Sequence, residues 1–146
     1  LYRYALMILA ERQAAEDAIQ QVFAGLLGGR RGPIDDPERY LRRAVRNACY
    51  SALRQRRARR VVAVDERVLE ALPDAAPAVG EELRLTLDLA IRELPPEQRE
   101  VLHLHAFEGR TFRDIAEATG DPLNTVASRY RYALEKLRLT VTNRDP

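Results

Sequence analysis

The chain has 146 residues and a formal net charge of only +2 at pH 7, and this length allows two small helical domains of about 60 residues each. No stretch is apolar for long enough to cross a membrane, and no signal peptide is visible. The one cysteine excludes an intramolecular disulfide, so the sequence predicts a soluble protein of a reducing cytoplasm.

The first predicted element is an amphipathic helix over residues 15–27. Apolar side chains recur there at helical spacing and should form one buried stripe, made of Ala15, Ala18, Ile19, Val22, Phe23, Leu26 and Leu27. Four polar side chains lie away from that stripe: Glu16, Asp17, Gln20 and Gln21. Taken alone, this segment is explained equally well by an ordinary solvated amphipathic helix.

The second predicted helix, residues 39–60, is rich in arginine. Its apolar stripe consists of Leu41, Ala44, Val45, Ala48 and Ala52. Its opposite side carries Arg39, Arg43, Arg46, Asn47, Tyr50, Arg54 and Arg57. Eleven arginines against three acids give residues 30–60 a net charge of +8, which suits a nucleic-acid backbone and an unstacked base. A solvated arginine face is the alternative. At the rim of this helix, Cys49 is expected to pack rather than to do redox chemistry.

Residues 61–82 form an acidic segment between the two halves of the chain. Their net charge is −5, and they contain Pro73, Pro77 and an alanine-rich stretch. This composition predicts an interdomain linker. Part of it, residues 64–72, could form one or two helical turns.

The next predicted helix lies within residues 94–109. Pro95-Pro96 should open it, Val101 and Leu102 should share one face with His105, and Gly109 should end it. Two positions apart on a helix, His103 and His105 point about 200° away from each other, which makes a poor metal pair. We expect His105 to pack and His103 to face outward. Because the chain also lacks a phosphate-binding loop and any catalytic constellation, the sequence predicts no enzyme, cofactor or metal site.

Residues 111–138 predict two helices joined by a tight turn. Thr111 and Asp114 have the spacing of a capping box at the start of the first helix. Its inner face would consist of Ile115, Ala116 and Thr119. Gly120 can adopt the left-handed conformation that ends it. Asp121 is then expected to cap the second helix, with Pro122 at its first position.

The second of these helices has one apolar side and one polar side. The apolar side consists of Val126, Tyr130, Ala133, Leu134 and Leu137. The outward side consists of Asn124, Thr125, Ser128, Arg129, Arg131 and Tyr132. A helix-turn-helix of this kind normally places its second helix in the major groove of DNA. An ordinary helical hairpin is the alternative, but the short first helix and the lack of acids between Asp121 and Glu135 favour DNA binding.

The motifs of residues 94–138, taken in order, resemble region 4 of bacterial sigma factors of the extracytoplasmic-function type. They are LPPEQREVL, FEG, the helix and turn DIAEATG, and NTVASRYRYALEKLR. The resemblance implies that the second helix of the helix-turn-helix reads the −35 promoter element. This chain departs from the family at Ala127 and Tyr132, where basic residues are frequent.

The arginine-rich half is similar to region 2 of the same family. Residues 15–27 resemble region 2.2, which docks on the clamp helices of the largest polymerase subunit, although Gln21 stands where the family usually has an acid. Residues 39–60 resemble regions 2.3 and 2.4, which open the promoter and capture flipped −10 bases. Asn47 matches the family residue that lines the flipped-base pocket, and the loop 28–37 matches the loop that reads that base.

The resemblance therefore implies an all-α protein with two small helical domains. Residues 1–60 would form region 2, lacking about one N-terminal helix of the family pattern, 61–82 the flexible acidic linker, and 83–146 region 4. The expected partners are the largest and second-largest subunits of core RNA polymerase, promoter DNA and, where one exists, an anti-sigma factor. Two alternatives stay open: a helix-turn-helix regulator that acts without replacing the primary sigma factor, and an RNA-binding or protein-binding adaptor.

Overall fold

The structure, a computed structural model, describes residues 1–29, 32–59 and 80–143. These residues form helices and no strand, so the predicted all-α class is confirmed. The chain divides into two compact units, Leu1–Glu66 and Arg67–Pro146. The predicted helical turns at 64–72 lie outside the described residues.

The first unit is a three-helix bundle of α1 (Tyr2–Leu9), α2 (Arg12–Leu27) and α3 (Pro37–Arg59), each of which packs on the other two. Residues 4–9 of α1 are all apolar and all buried, so this helix is enclosed on every side after its first two residues. A tight corner links it to α2, because Ala10 adopts a left-handed conformation (φ 55°) and its N–H donates to the carbonyl of Leu6. This short central helix supplies most of the core of the unit.

The second unit contains α4 (Glu81–Glu93), α5 (Pro96–Leu102), α6 (Phe112–Thr119) and α7 (Leu123–Thr142). Helices α4, α5 and α6 all pack on α7. Helix α4 starts at Glu81, two residues before the predicted start of the second domain. Helix α5 continues into one π-helical turn, His103–Phe107, before the chain reaches α6.

Pro95 and Pro96 open α5, as predicted. Pro95 is the N-cap of α5 and Pro96 its first residue, a position at which the missing N–H of proline costs nothing. The buried guanidinium of Arg99 donates to the carbonyls of Arg92, at 3.1 Å, and Leu94. It thereby satisfies backbone acceptors that the end of α4 leaves open.

Among the described residues, no helix combines the length and apolar character needed to span a membrane. The same residues contain no cluster of three or more His, Cys, Asp or Glu side chains arranged to hold a metal ion. Cys49 packs, as predicted, but it is fully buried in the core of the first unit rather than at the rim of the arginine-rich helix.

Candidate nucleic-acid interface

Helix α3 presents the predicted polar residues on its accessible side. Val45 and Cys49 are fully buried, and they fix which face of the helix points into the bundle. On the other side, five of the predicted residues are exposed: Arg39, Arg43, Asn47, Arg54 and Arg57. The remaining two, Arg46 and Tyr50, are half-buried. A nucleic acid could therefore approach all seven from one direction.

Two other arginines of α3 act inside the fold. Arg56 Nη1 donates to the Leu9 carbonyl at 3.2 Å, and its Nη2 pairs with the Glu11 carboxylate. Arg42 Nε lies 3.5 Å from a Glu38 oxygen, and its guanidinium lies 5.7 Å from the centre of the Tyr4 ring. Neither residue belongs to the predicted DNA-binding set. The arginines of one helix are thus divided between an internal role and the surface.

The accessible side of α3 combines a stacked pair with an exposed amide. The guanidinium of Arg46 lies 4.7 Å from the centre of the Tyr50 ring, one helical turn away. Asn47 follows Arg46 directly and is exposed. An amide can both donate and accept hydrogen bonds, while a guanidinium and a phenol ring offer flat faces to a base. Because Arg46 covers one face of the ring, a base would stack on the outer face of this pair.

Helix α2 exposes the four polar side chains that were predicted to lie away from its apolar stripe, Glu16, Asp17, Gln20 and Gln21. Asp17 accepts a 2.9 Å hydrogen bond from the Gln13 amide, which holds that carboxylate on the surface. The surface defined by these four residues and the exposed apolar side chains Phe23 and Leu27 is called the α2 surface below.

The predicted burial of the whole apolar stripe of α2 is wrong at its C-terminal end. Ala15 and Ala18 are buried, but Phe23 is 43% exposed and Leu27 is 90% exposed. Phe23 and Leu27 follow Glu16 by seven and eleven residues, which is close to two and three full helical turns, so they lie beside Glu16 and Gln20 on the outward side of α2. The second half of α2 therefore carries apolar side chains into solvent.

The predicted helix-turn-helix is present. Thr111 and Asp114 form the reciprocal capping box, with the Asp114 N–H 3.0 Å from Thr111 Oγ1 and the Thr111 N–H 3.4 Å from Asp114 Oδ2. Gly120 ends α6 in the left-handed conformation (φ 79°). Ile115 of α6 and Val126 of α7 are fully buried and anchor the two helices in the core of the unit.

The predicted cap of the second helix is wrong. Pro122 is the N-cap of α7, Leu123 is its first residue, and no side chain caps it. Asp121 instead donates its N–H to Thr119 Oγ1 at 3.3 Å and places its carboxylate 2.6 Å from Arg129 Nη1. The Arg129 guanidinium carries a full positive charge, so it is a stronger partner for the carboxylate than the backbone N–H groups of a helix start.

The six predicted residues on the outward face of α7 differ in how far they are exposed to solvent. Asn124, Arg131 and Tyr132 are exposed, whereas Thr125, Ser128 and Arg129 are half-buried. The Arg131 guanidinium lies 5.3 Å from the centre of the Tyr132 ring. All six predicted residues can be reached from solvent, but two arginines have neighbours that restrict where they point.

One of the two histidines does not lie as predicted. His103 is buried, with Nε2 3.2 Å from Glu108 Oε1, rather than facing outward. Six consecutive residues, Arg99–Leu104, are buried, so the chain is enclosed on every side at this point and offers His103 no outward direction. His105 packs, as predicted: its ring stacks on Phe112 and meets Tyr130 edge-on, and its Nδ1–H donates to the Arg110 carbonyl at 2.7 Å.

One exposed cation of the helix-turn-helix was not among the predicted DNA contacts. Arg113 lies in the first turn of α6 and is exposed. The first helix of a helix-turn-helix crosses the DNA backbone, so a cation at its start can contact phosphate. Its position beside the predicted capping box was the signal that could have identified it.

Comparisons with known proteins agree with this arrangement. The family Sigma-70 region 2 matches residues 1–59, and Sigma-70, region 4 matches residues 84–137. The chain is 31% identical over 150 residues to the ECF RNA polymerase sigma factor SigL of Mycobacterium tuberculosis, covering 97% of this chain and 82% of that protein. It is 44% identical over 52 residues to the ECF RNA polymerase sigma factor RpoE of Cereibacter sphaeroides, covering 36% of this chain and 29% of that protein.

The fold also resembles a solved structure. The sigma factor RpoE of Bartonella quintana, crystallised with the anti-sigma factor NepR, superposes with a TM-score of 0.65 at 23% sequence identity. The match covers 99% of this chain and 91% of the other. At this identity the likeness concerns the fold.

Proposed function

The chain belongs to the extracytoplasmic-function type of the sigma-70 family, and we propose that it carries core RNA polymerase to promoters whose −35 and −10 elements it reads itself. Members of this family bind core polymerase and promoter DNA and catalyse no reaction of their own. The main support for promoter reading is that α3 has a buried face and an accessible face, and that the accessible face holds arginine, asparagine and tyrosine together. Within this proposal, residues 1–60 act as region 2 and residues 83–146 as region 4.

Promoter melting is assigned to α3. Arg39, Arg43, Arg54 and Arg57 would neutralise phosphates, since they are exposed along the helix. Asn47 would hydrogen-bond a flipped −10 base beside the Arg46–Tyr50 pair. Phosphate contacts act on every sequence alike, whereas a base pocket acts at one promoter position. The two roles can therefore be separated by experiment.

Open-complex formation on promoters that differ only in the −10 element provides this separation. We expect Asn47→Ala to flatten the preference at one −10 position with little change in salt dependence, while Arg54→Ala weakens all promoters and lowers the slope against salt concentration by about one. Wild-type ratios for Asn47→Ala on every −10 variant would contradict the base pocket and leave α3 as a phosphate clamp.

Docking on core polymerase is assigned to the α2 surface. Its acidic and amide groups supply polar contacts, and the exposed Phe23 and Leu27 supply apolar area that an isolated domain would otherwise leave in water. We expect Leu27→Ser to weaken holoenzyme formation while leaving the fold stable, because this side chain is 90% exposed.

The −35 element is assigned to the outward face of α7, with Arg113 of α6 as a phosphate contact. The proposed partners also include an anti-sigma factor.

The runner-up is a helix-turn-helix regulator that binds DNA without polymerase. The accessible side of α3 favours a sigma factor over a regulator, because a regulator that binds duplex DNA needs no surface for unstacked bases. Pull-down of core polymerase separates the two: a stable complex with core enzyme is expected, and a chain that binds duplex DNA tightly but never core polymerase would contradict the proposal.

A further inference from the structure

Asp121 and Arg129 form an ion pair across the start of α7. The Asp121 Oδ2 and Arg129 Nη1 atoms are 2.6 Å apart, and the two side chains are 28% and 26% exposed. The pair joins the turn of the helix-turn-helix to the second turn of α7, eight residues further on. Because Pro122 is the N-cap and no side chain caps this helix, Asp121 is not serving as a helix cap.

This contact restricts how Arg129 can be presented to DNA. A long arginine side chain normally loses rotamer freedom when it binds. The bond from Arg129 Nη1 to the Asp121 carboxylate removes part of that freedom before DNA arrives. A guanidinium carries five N–H donors in a rigid fork, so the N–H bonded to Asp121 leaves others for an acceptor in the groove.

The same contact changes what Arg129 can recognise. The Asp121 charge offsets that of Arg129, so the pair attracts phosphate less than an isolated arginine would. Directional hydrogen bonding is retained, and the most frequent partner of an oriented arginine in the major groove is the O6 and N7 edge of guanine. The pair is therefore better suited to reading a base than to neutralising the backbone.

We propose that Asp121 is a positioning residue that orients Arg129 toward a guanine of the −35 element and so sharpens sequence discrimination there. This inference rests on the proposed reading of the −35 element by α7. It also predicts a loss of base preference at one promoter position, which simple electrostatics does not predict. Removing an acid beside DNA ordinarily strengthens binding to every sequence, whereas removal of Asp121 should weaken the preference for one base.

The test uses the full chain with core RNA polymerase and a promoter library randomised at the −35 element. Transcripts from the wild type, Asp121→Ala, Arg129→Ala and the double variant give the base preference at each position. Glu135→Ala is the matched control, because Glu135 is an exposed acid on the same helix without a part in the pair. Arg129→Lys keeps the charge but lacks the planar fork.

We expect Asp121→Ala to reduce the preference for guanine at one position about tenfold, the same position and direction as Arg129→Ala. The double variant should lose no more than Arg129→Ala alone, and Arg129→Lys should lose the preference as well. Asp121→Asn keeps an acceptor oxygen and should retain more of the preference than Asp121→Ala. Glu135→Ala should keep the wild-type profile.

Two results would overturn the inference while leaving the sigma factor proposal intact. One is an unchanged −35 profile in Asp121→Ala with stronger use of all promoters, which would mean that Asp121 merely restrains Arg129. The other is an equal loss on every promoter together with a lower melting temperature, which would make the pair a structural brace. A wild-type chain that yields no transcript with core polymerase would instead contradict the proposed function, and the inference with it.

Discussion

Replacement by alanine should have different effects at two adjacent arginines of α3. The Arg56 guanidinium bonds to the Leu9 carbonyl and the Glu11 carboxylate, and the side chains of Arg56 and Glu11 are only 19% and 17% exposed. Arg57, the next residue, is exposed. Arg56→Ala should therefore destabilise the first unit, whereas Arg57→Ala should impair DNA binding alone.

The magnitude follows from the contacts that are lost. A hydrogen bond to a charged group contributes about 1.5–3 kcal/mol, and Arg56→Ala removes the bonds to the Leu9 carbonyl and the Glu11 carboxylate and leaves that mostly buried carboxylate without its arginine. Water can reach part of the site, so we expect a loss of about 2–3 kcal/mol in the free energy of unfolding rather than the 3–5 kcal/mol typical of a fully buried pair. In a unit of this size, that lowers the melting temperature by about 10 °C or more.

Urea and thermal unfolding of the full chain, followed by circular dichroism at 222 nm, measure this loss. Hydrogen exchange read by mass spectrometry assigns it to peptides of residues 1–59, with peptides of residues 80–143 as the internal reference. Arg57→Ala should change the free energy of unfolding by less than about 0.5 kcal/mol and lower the salt slope of promoter binding. Equal stability of the two variants would refute the division of the arginines into internal and surface groups.

Three further substitutions test other parts of the molecule. The double variant Asp17→Ala, Gln20→Ala should keep the fold and lower the affinity for core polymerase; normal holoenzyme formation would count against the α2 surface. Thr111→Ala removes the capping box of α6 and should cost about 0.5–2 kcal/mol in urea unfolding, a loss that Thr142→Ala, at the far end of α7, should not reproduce. Ala10→Gly should stabilise the first unit by up to about 1 kcal/mol, since Ala10 has a positive φ of 55°; a lower melting temperature would contradict that strain.

The features that depend on only a few consecutive residues could be predicted from the sequence. The capping box of Thr111 and Asp114, the left-handed Gly120 and the opening by Pro95-Pro96 each involve a few consecutive residues, and all three form as predicted. The 3.6-residue period also placed Val45 on the buried side of α3 and Asn47 on the accessible side. These features need no knowledge of the rest of the fold.

Features that depend on the neighbours of a helix were not predictable in the same way. The burial of His103 follows from the enclosure of residues 99–104 by the rest of the unit, which the hydrophobic pattern does not reveal because Arg99 and Glu100 are buried with it. Asp121 matches the preferences of a helix cap, yet it pairs with an arginine eight residues away, a choice made by side-chain packing and charge.

The most direct test of the sigma factor proposal is in vitro transcription with purified core RNA polymerase, this chain and a library of promoters randomised in the −35 and −10 elements, without any other sigma factor. We predict transcripts that depend on the chain and that start from a small, related set of promoters. Transcription that requires an added primary sigma factor, with this chain changing only its level, would contradict the proposal and identify the protein as a regulator.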